Sequence, residues 1–391
     1  MTSGKTKLLL GGVPFGCDNI GDEAILAGVV AMLRGSLPDV ELSVATADPE
    51  TAGRLGVRVV PPYGFAGAGT DGFAAEAAKC DAYVWCGATG LSDYPGVALD
   101  LLDAAQRAGV ATFVWGVGMD TRLNPAFFEA NGKRRAVLEA LHLRRAYERA
   151  LAARLARRIS RIMPRCRGVW LRDAQSCEVL RSFGFGGAKC TADTAMLQSA
   201  GGASLANLDA VVSPASPSRG ASAPRLGLCI SAQRRVADID GLARLVARVR
   251  GGGWSVVGMP MNPKTDRALM QDALGVECIE GSSPEEVCAA AAGCDVVLSS
   301  RLHLLVLSAN VGTPILGISR GSKLVNWLSA FGRTSEGSVE ECDWDAVAEH
   351  VLSEPMRRAE WDQKRREAYL GLRDRFEKAR AELVSAIAAA H

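Results

Sequence analysis

Arg301 and His303 stand two residues apart, directly after a predicted buried strand at residues 295–299. An arginine can bind a carboxylate or phosphate through two N–H groups, and a histidine can transfer a proton near neutral pH. The apolar stretch 304–310 predicts a helix that packs away from both side chains. The chain has four histidines, and the other three lie in predicted helices or at the last position. We therefore expect His303 in an active site, with a structural role as the alternative.

Two further cations follow predicted strands in the same way. Arg172-Asp173 comes directly after the strand at 168–171, and Lys323 follows the strand at 315–318. The plainer alternatives are a salt-bridged helix cap for Arg172-Asp173 and a solvated side chain for Lys323. Because ligands of parallel sheets bind at the carboxyl ends of the strands, we expect these cations to join Arg301 and His303 in a cleft for a doubly anionic substrate.

A glycine-bearing loop at residues 11–21 is predicted between a strand at 7–10 and a helix at 22–34. Backbone N–H groups at such a helix start can bind an anion, and Asn19 or Asp22 can cap the helix. The loop lacks the patterns of Walker loops and of dinucleotide binders. The carboxylates of Asp22 and Glu23 would repel a phosphate, so we expect them to face a sugar hydroxyl. A tight structural turn is the equal alternative.

Two more glycine clusters follow predicted strands. Gly87 lies in the segment 86–90, after the strand at 82–86, and Gly118 ends the segment 116–118, after the strand at 111–115. Glycine at a strand end lets either a ligand or a packed helix approach the backbone closely. Both interpretations stay open for Gly87 and Gly118.

Short apolar strands alternate with helices along most of the chain, which predicts an α/β fold with parallel sheets covered on both faces. Its 391 residues suit two domains, and a Ser, Pro and Ala-rich stretch marks a linker. We expect two Rossmann-like, doubly wound domains with a cleft between them. The predicted boundaries are 1–200 for the N-terminal domain, 201–224 for the linker, 225–345 for the C-terminal domain and 346–391 for charged terminal helices.

Composition excludes several other classes of protein. Hydrophobic residues make up 48% and charged residues 23%, with a net charge of +2, so neither disorder nor a global attraction to nucleic acid is expected. The eleven cysteines are odd in number and form no Cys-x-x-Cys pair, which favours reduced thiols and a cytoplasmic protein. No apolar stretch reaches the roughly 18–20 residues of a membrane span.

Charge is concentrated in a long predicted helical region at 125–162. Residues 133–167 hold twelve Lys or Arg but only two acids, Glu139 and Glu148. A solvated helix face is the first interpretation. The alternative is a peripheral contact at the inner membrane face, either with anionic lipid headgroups or with a lipid-diphosphate-linked acceptor. Nucleic acid is not expected because interleaved aromatic residues are missing.

Several segments together resemble the polysaccharide pyruvyl transferase family. They are Asn-Ile-Gly-Asp-Glu-Ala-Ile-Leu at 19–26, Arg172-Asp173, Thr-Ala-Asp-Thr at 191–194, Arg-Leu-His at 301–303, Gly-Thr-Pro-Ile-Leu-Gly-Ile-Ser at 312–319, and Lys323. The resemblance covers roughly residues 7–335. It implies a GT-B-like arrangement of the two domains, a place in cell-surface polysaccharide biosynthesis, and neither metal nor organic cofactor.

The resemblance also implies the chemistry. Phosphoenolpyruvate would be the donor, bound by the C-terminal domain, and a carbohydrate or lipid-linked glycan would be the acceptor, bound by the N-terminal domain. The products would be a cyclic pyruvate ketal and inorganic phosphate. Arg301 and Arg172 would hold the phosphate and carboxylate with help from the Leu302 backbone, and His303 would be the general acid and base.

One departure from the family pattern affects the acceptor side. The family carries a run of glycines after the fourth strand, where this chain has Cys-Gly-Ala-Thr-Gly at 86–90. The identity of the acceptor therefore stays open. Two other functional classes also remain: a GT-B glycosyltransferase that uses a nucleotide sugar, and a non-catalytic protein that kept the fold.

Overall fold

The computed structural model describes residues 5–212, 223–231 and 236–390. Its strands form a seven-stranded and a four-stranded sheet, in which all neighbouring strands are parallel. The strands are β1 (Thr6–Phe15), β2 (Val40–Thr46), β3 (Arg58–Val60), β4 (Ala82–Cys86), β5 (Ala111–Val117), β6 (Gly168–Leu171), β7 (Lys189–Cys190), β8 (Arg225–Cys229), β9 (Ser255–Gly258), β10 (Val296–Ser299) and β11 (Ile315–Gly317).

Helices connect the strands. In chain order they are α1 (Ile20–Ser36), α2 (Pro49–Arg54), α3 (Phe73–Ala77), α4 (Gly90–Asp93), α5 (Pro95–Arg107), α6 (Pro125–Phe128), α7 (Gly132–Ala140), α8 (Arg144–Ile162), α9 (Ala174–Ser182), α10 (Asn207–Ala210), α11 (Ile239–Gly251), α12 (Pro263–Ala268), α13 (Pro284–Ala292), α14 (Leu302–Asn310), α15 (Ser322–Ala330), α16 (Trp344–Ser353) and α17 (Arg358–Ala388). Within the described ranges, no helix combines the length and apolar character needed to cross a membrane.

The strand orders are those of doubly wound sheets. The larger sheet runs β3-β2-β1-β4-β5-β6-β7 and the smaller runs β11-β10-β8-β9. In each sheet the order reverses beside the first strand, between β1 and β4 and between β8 and β10. Ligands of such folds bind beyond the carboxyl ends of the strands at this reversal. The central strand β4 is a continuous apolar run in which every residue is buried, as expected for a parallel strand covered on both faces.

Internal contacts divide the chain into two units. The N-terminal unit comprises the chain up to Cys17, Leu33–Asp193, and the chain from Arg375 onward; the C-terminal unit comprises Asp18–Met32 and Thr194–Asp374. The start of α1 therefore belongs with the C-terminal unit. Of the predicted linker at 201–224, residues 213–222 lie outside the described residues. The predicted domain boundaries stay a prediction.

The predicted loop at 11–21 is partly wrong, because β1 continues to Phe15. Its pairing with β2 is irregular between Leu10 and Phe15. Gly12 explains the irregularity: its φ is +77°, and a Cβ there would lie 2.4 Å from Cδ1 of Trp85. Glycine, which usually marks a loop, here lets a strand pass close to a buried indole.

The helical region predicted at 125–162 is helical over most of its length, but the structure divides it into three helices, α6, α7 and α8. Asn131, between α6 and α7, has an extended backbone. His142, between α7 and α8, is in the left-handed region with φ of +53°. Neither conformation can continue a right-handed helix, and apolar periodicity alone did not reveal the two breaks.

Candidate functional site

Strand β10 and helix α14 place Arg301 and His303. The strand ends at Ser299, whose hydroxyl accepts a hydrogen bond from the N–H of Arg301 at 2.8 Å, and α14 begins at Leu302. Every residue of α14 except His303 is buried. Both residues thus follow β10, which borders the reversal of the four-stranded sheet, as the sequence predicted.

Arg301 is held by a carboxylate that the sequence did not point to. Its Nε donates to Oδ2 of Asp266 at 3.1 Å, and its Nη2 donates to Oδ1 at 2.6 Å. Asp266 is fully buried, and the Arg301 side chain is only 12% exposed. The guanidinium therefore has a fixed plane and a paired charge. Its Nη1 donates to no residue that the structure describes.

Asp266 is itself surrounded by donors. Its Oδ2 accepts the N–H of Asn262 at 2.9 Å and the thiol of Cys229 at 3.7 Å. Burial, with the Asp266 charge as a second cause, raises the pKa of the Cys229 thiol. Cys229 therefore stays protonated and donates a hydrogen bond instead of adding a second negative charge.

The imidazole of His303 lies against the first turn of α1. A Cβ at Gly21 would be 2.2 Å from Nδ1 of His303, so no larger residue fits at position 21 without moving the ring. The N–H of Ile20 donates to the carbonyl of Met261 at 2.9 Å, and Lys264 forms an ion pair with Asp18 at 2.7 Å. These contacts hold the start of α1 beside the segment that carries Asp266.

The residues predicted at the start of α1 form a cap. Asn19 accepts the N–H of Gly21 through Oδ1 at 3.3 Å and donates through Nδ2 to Oδ2 of Asp22 at 2.8 Å. Capping by Asn19 is one of the two alternatives drawn from the sequence. Asp22 is only 5% exposed, and Glu23 is half-buried.

A buried arginine holds the other end of α14. Arg365, 3% exposed, donates to the carbonyls of Ala309 and Asn310 at 2.6 and 3.0 Å. The hydroxyl of Tyr369 donates to Oδ1 of Asn310 at 2.6 Å. The last carbonyls of a helix lack partners within the helix, and a cation satisfies them well. Arg365 therefore fixes the helix that positions His303.

The structure assigns most predicted site residues to one unit. Leu302 is the buried first residue of α14, and Lys323 is the half-buried second residue of α15. The predicted residues in the C-terminal unit are Asn19, Asp22, Glu23, Arg301, Leu302, His303 and Lys323. Arg172, Gly87 and Gly118 belong to the N-terminal unit.

Arg172 follows β6 and is 5% exposed. Its Nη1 donates to Oδ2 of Asp193 at 3.3 Å, and its Nε donates to Oδ2 of Asp173 at 3.5 Å. Its Nη2 is buried and has no hydrogen-bond partner within residues 5–212, 223–231 and 236–390. A buried N–H without a partner carries an energetic cost.

Gly118 lets Arg172 take this position. A Cβ at Gly118 would lie 2.5 Å from Nη2 of Arg172, and the N–H of Gly118 donates to the carbonyl of Ala88 at 2.7 Å. Gly87, with φ of +83°, turns the chain after β4 and donates to the carbonyl of Trp115 at 2.8 Å. At Gly118 the close neighbour is an arginine side chain, which neither sequence interpretation anticipated.

Among the residues that the structure describes, no three His, Cys, Asp or Glu side chains are grouped as metal ligands would be. The described site residues offer arginine, imidazole and backbone N–H groups instead, which bind anions and transfer protons.

Comparisons with known proteins bear on the family and on the fold of the chain. The family model described as polysaccharide pyruvyl transferase matches residues 19–322, which is most of the chain. No curated protein sequence matches significantly. Similar solved structures include a UDP-GlcNAc 2-epimerase from Neisseria meningitidis bound to UDP-GlcNAc, at 13% identity and a TM-score of 0.57, with 98% of this chain and 100% of that chain covered.

Two more structures have the same fold. A putative UDP-N-acetylglucosamine 2-epimerase from Listeria monocytogenes has 12% identity and a TM-score of 0.58, covering 92% and 91% of the two chains. A ugt transferase from Siraitia grosvenorii in complex with UDP has 11% identity and a TM-score of 0.56, covering 98% and 100%. These matches and the two parallel sheets confirm the predicted fold class, two Rossmann-like α/β domains of the GT-B type.

Proposed function

Because the chain belongs to the polysaccharide pyruvyl transferase family, we propose that it transfers the pyruvyl group of phosphoenolpyruvate to two hydroxyls of a glycan. The products are a cyclic pyruvate ketal and inorganic phosphate. The observation that carries this proposal is the pair Arg301 and His303, fixed by Asp266 and Gly21 beside the sheet reversal. An anion-binding group and a proton-transfer group are what this reaction requires.

Arg301 binds an anionic group of the donor. Asp266 uses Nε and Nη2 to fix the guanidinium plane, so Nη1 keeps a defined direction for a phosphate or carboxylate oxygen. The first N–H groups of α14 lie next in sequence, and a helix N-terminus of this length attracts negative charge. The Leu302 N–H is the first of them.

His303 moves the protons. Protonation of the donor's methylene carbon turns it into a methyl group and makes C2 electrophilic. One acceptor hydroxyl then adds to C2, the C–O bond to phosphate breaks, and the second hydroxyl closes the ketal. One of the two hydroxyl protons balances the proton given to the methylene, and the other leaves with phosphate. A positioned acid and base contributes roughly 10²–10⁴-fold to such a rate.

Arg172 is proposed as a second anion-binding group. The family resemblance gives it a part in holding the donor's phosphate and carboxylate. Its buried Nη2 without a partner in the described residues supports that role, because a ligand oxygen would satisfy the atom. Lys323, at the start of α15, is proposed to contact substrate as well.

The test is consumption of phosphoenolpyruvate, measured as inorganic phosphate released in the presence of a panel of glycosides, with proton NMR to detect the new methyl group. His303→Asn is expected to lower phosphate release at least about 100-fold with unchanged thermal unfolding. His142→Asn is the matched control, because His142 is exposed and its φ of +53° suits asparagine. Equal activity of the His303 variant would reject the assignment.

A nucleotide-sugar glycosyltransferase is the second candidate. The solved structures that bind UDP or UDP-GlcNAc support it only through their fold, because their identities to this chain are 13% and 11%. Turnover of UDP-GlcNAc without any turnover of phosphoenolpyruvate would favour this candidate over pyruvyl transfer.

A further inference from the structure

The three helices α6, α7 and α8, here called the basic arm, expose an unusual combination of side chains. Neither α6 nor α7 contains a buried residue, and α8 buries only Leu155, Ile159 and Ile162. Helices of a folded domain normally bury an apolar stripe against the core. Most of the basic arm therefore faces away from its own unit's core.

Apolar side chains cluster on this arm. Of the nine large hydrophobic side chains exposed in the described residues, four lie between positions 127 and 143. They are Phe127, Val137, Leu141 and Leu143, which are 58%, 57%, 59% and 50% exposed. Single exposed apolar residues need no explanation, but four within seventeen positions of one segment are unusual and point to a surface for interaction.

The same arm carries unbalanced positive charge. The acids Glu139 and Glu148 are already paired with Arg135 and Arg144. Six other cations of α7 and α8 form no ion pair in the part of the chain that the structure describes: Lys133, Arg134, Arg145, Arg149, Arg154 and Arg157. On α7, Lys133 and Val137 lie four residues apart and so share one face of the helix, and Leu141 follows directly after its end.

An apolar cavity lies where the arm meets α5. It has a volume of about 170 Å³, and its walls include Phe127, Phe128 and Leu151. Arg154 and Arg158 also line it. A cavity with apolar walls and neighbouring guanidinium groups suits an apolar chain attached to an anionic head.

We propose that the basic arm docks on a lipid bilayer that contains anionic phospholipid. The unpaired cations bind the headgroup phosphates, while Phe127, Val137, Leu141 and Leu143 enter the boundary between headgroups and acyl chains. Such a surface combines electrostatic attraction with apolar burial, the two contributions that hold peripheral helices on membranes. This inference goes beyond the proposed function and does not depend on it, because its readout is binding rather than turnover.

Charge complementarity selects this occupant. A protein partner would be expected to meet a surface depleted in charge at its centre, whereas Lys133 and Arg134 lie one helical turn before the exposed Val137 on α7. A nucleic acid would need aromatic side chains for stacking, and the arm exposes Phe127 as its only strongly exposed aromatic residue in the described chain.

The first experiment measures sedimentation of the full chain with vesicles of phosphatidylglycerol and phosphatidylcholine, and with vesicles of phosphatidylcholine alone. We expect binding only to the anionic vesicles, weakened by added salt. The triple variant Arg145→Gln, Arg149→Gln and Arg157→Gln should bind at least about tenfold more weakly. A matched control removes three exposed cations of α17, Arg366→Gln, Arg375→Gln and Lys378→Gln, and should bind like the unmodified protein.

The second experiment separates membrane docking from simple attraction of phosphate. Phe127→Ser with Leu141→Ser should also weaken vesicle binding at least about fivefold, whereas Met356→Ser, at a side chain 84% exposed, should not. Circular dichroism should show equal folding of all variants. The proposal is overturned if neutral vesicles bind equally, if the apolar variant binds normally, if inorganic phosphate at equal ionic strength displaces the protein, or if an RNA oligonucleotide binds more tightly than the vesicles.

Discussion

Two strand ends carry buried arginines, and the two arginines differ in how their charge is used. Arg301, after β10, shares two hydrogen bonds with the single buried carboxylate of Asp266. Arg172, after β6, has longer contacts to Asp193 and Asp173, and its Nη2 is unpartnered in the described residues. The first guanidinium is held in one orientation, whereas the second has an N–H group for which the described residues supply no acceptor.

Glycine serves both sites in the same way. The His303 ring lies against Gly21, and the Arg172 guanidinium lies against Gly118. In each case the side chain of a predicted site residue occupies the space that a Cβ would fill. A glycine near a predicted site can therefore make room for a neighbouring side chain rather than for the ligand itself.

The largest expected effect is on the free energy of unfolding, which should respond differently when a carboxylate partner of Arg301 or of Arg172 is removed. Asp266→Asn removes the only carboxylate that pairs with Arg301 among the described residues, and removal of one partner from a buried ion pair costs roughly 3–5 kcal/mol. Asp173 caps α9 by accepting the N–H of Ser176 at 2.7 Å. Asp173→Asn should cost no more than about 1 kcal/mol, because Asp193 still pairs with Arg172 and asparagine is also a good N-cap. Urea unfolding of both variants measures the difference. Equal losses would show that the two arginines are held alike.

The next effect concerns the two glycines. Gly21→Ala and Gly118→Ala place a Cβ 2.2 Å and 2.5 Å from His303 and Arg172, so both side chains must move. We expect turnover of phosphoenolpyruvate to fall about 10–100-fold, because small displacements of catalytic groups are costly. Steady-state kinetics with folding checked by circular dichroism tests this. Normal turnover in either variant would show that the displaced side chain has no part in the reaction.

A smaller effect, on the KM for phosphoenolpyruvate, should show whether Arg172 acts through the N–H groups of its guanidinium or through its positive charge alone. Arg172→Lys keeps the positive charge but loses the planar set of donors. The KM for phosphoenolpyruvate should rise about tenfold, as expected for loss of one charged hydrogen bond, while kcat changes less. An unchanged KM would mean that Nη2 of Arg172 does not meet the donor.

The smallest effect is expected at a glycine that makes room for no neighbouring side chain, and it provides a control for Gly21→Ala and Gly118→Ala. Gly371 lies in the exposed interior of α17, and a Cβ there would meet no atom within 4 Å. Gly371→Ala should therefore raise the free energy of unfolding by about 0.5–1 kcal/mol without changing turnover. A loss of stability in thermal unfolding would indicate a contact that the helix geometry does not predict.

Much of the fold and part of the site could be predicted from the sequence. Apolar runs such as β4 and the strand before Arg301 predict strands from neighbouring residues alone. These strands indicated the α/β class and the position of His303 after a strand end. Asp266 could not be found, because its partner Arg301 lies 35 positions away and only the folded chain joins them. The roles of Gly21 and Gly118 likewise could not be predicted, because each makes room for a side chain that is distant in the sequence. The continuation of β1 past Gly12 was missed because glycine usually marks a loop.

Calorimetric titration tests the central claim most directly, with phosphoenolpyruvate and UDP-GlcNAc added separately to the unmodified protein and to Arg301→Lys. We predict saturable binding of phosphoenolpyruvate that weakens at least about tenfold in the variant, and no binding of UDP-GlcNAc. Binding of UDP-GlcNAc without binding of phosphoenolpyruvate would contradict the proposed pyruvyl transfer.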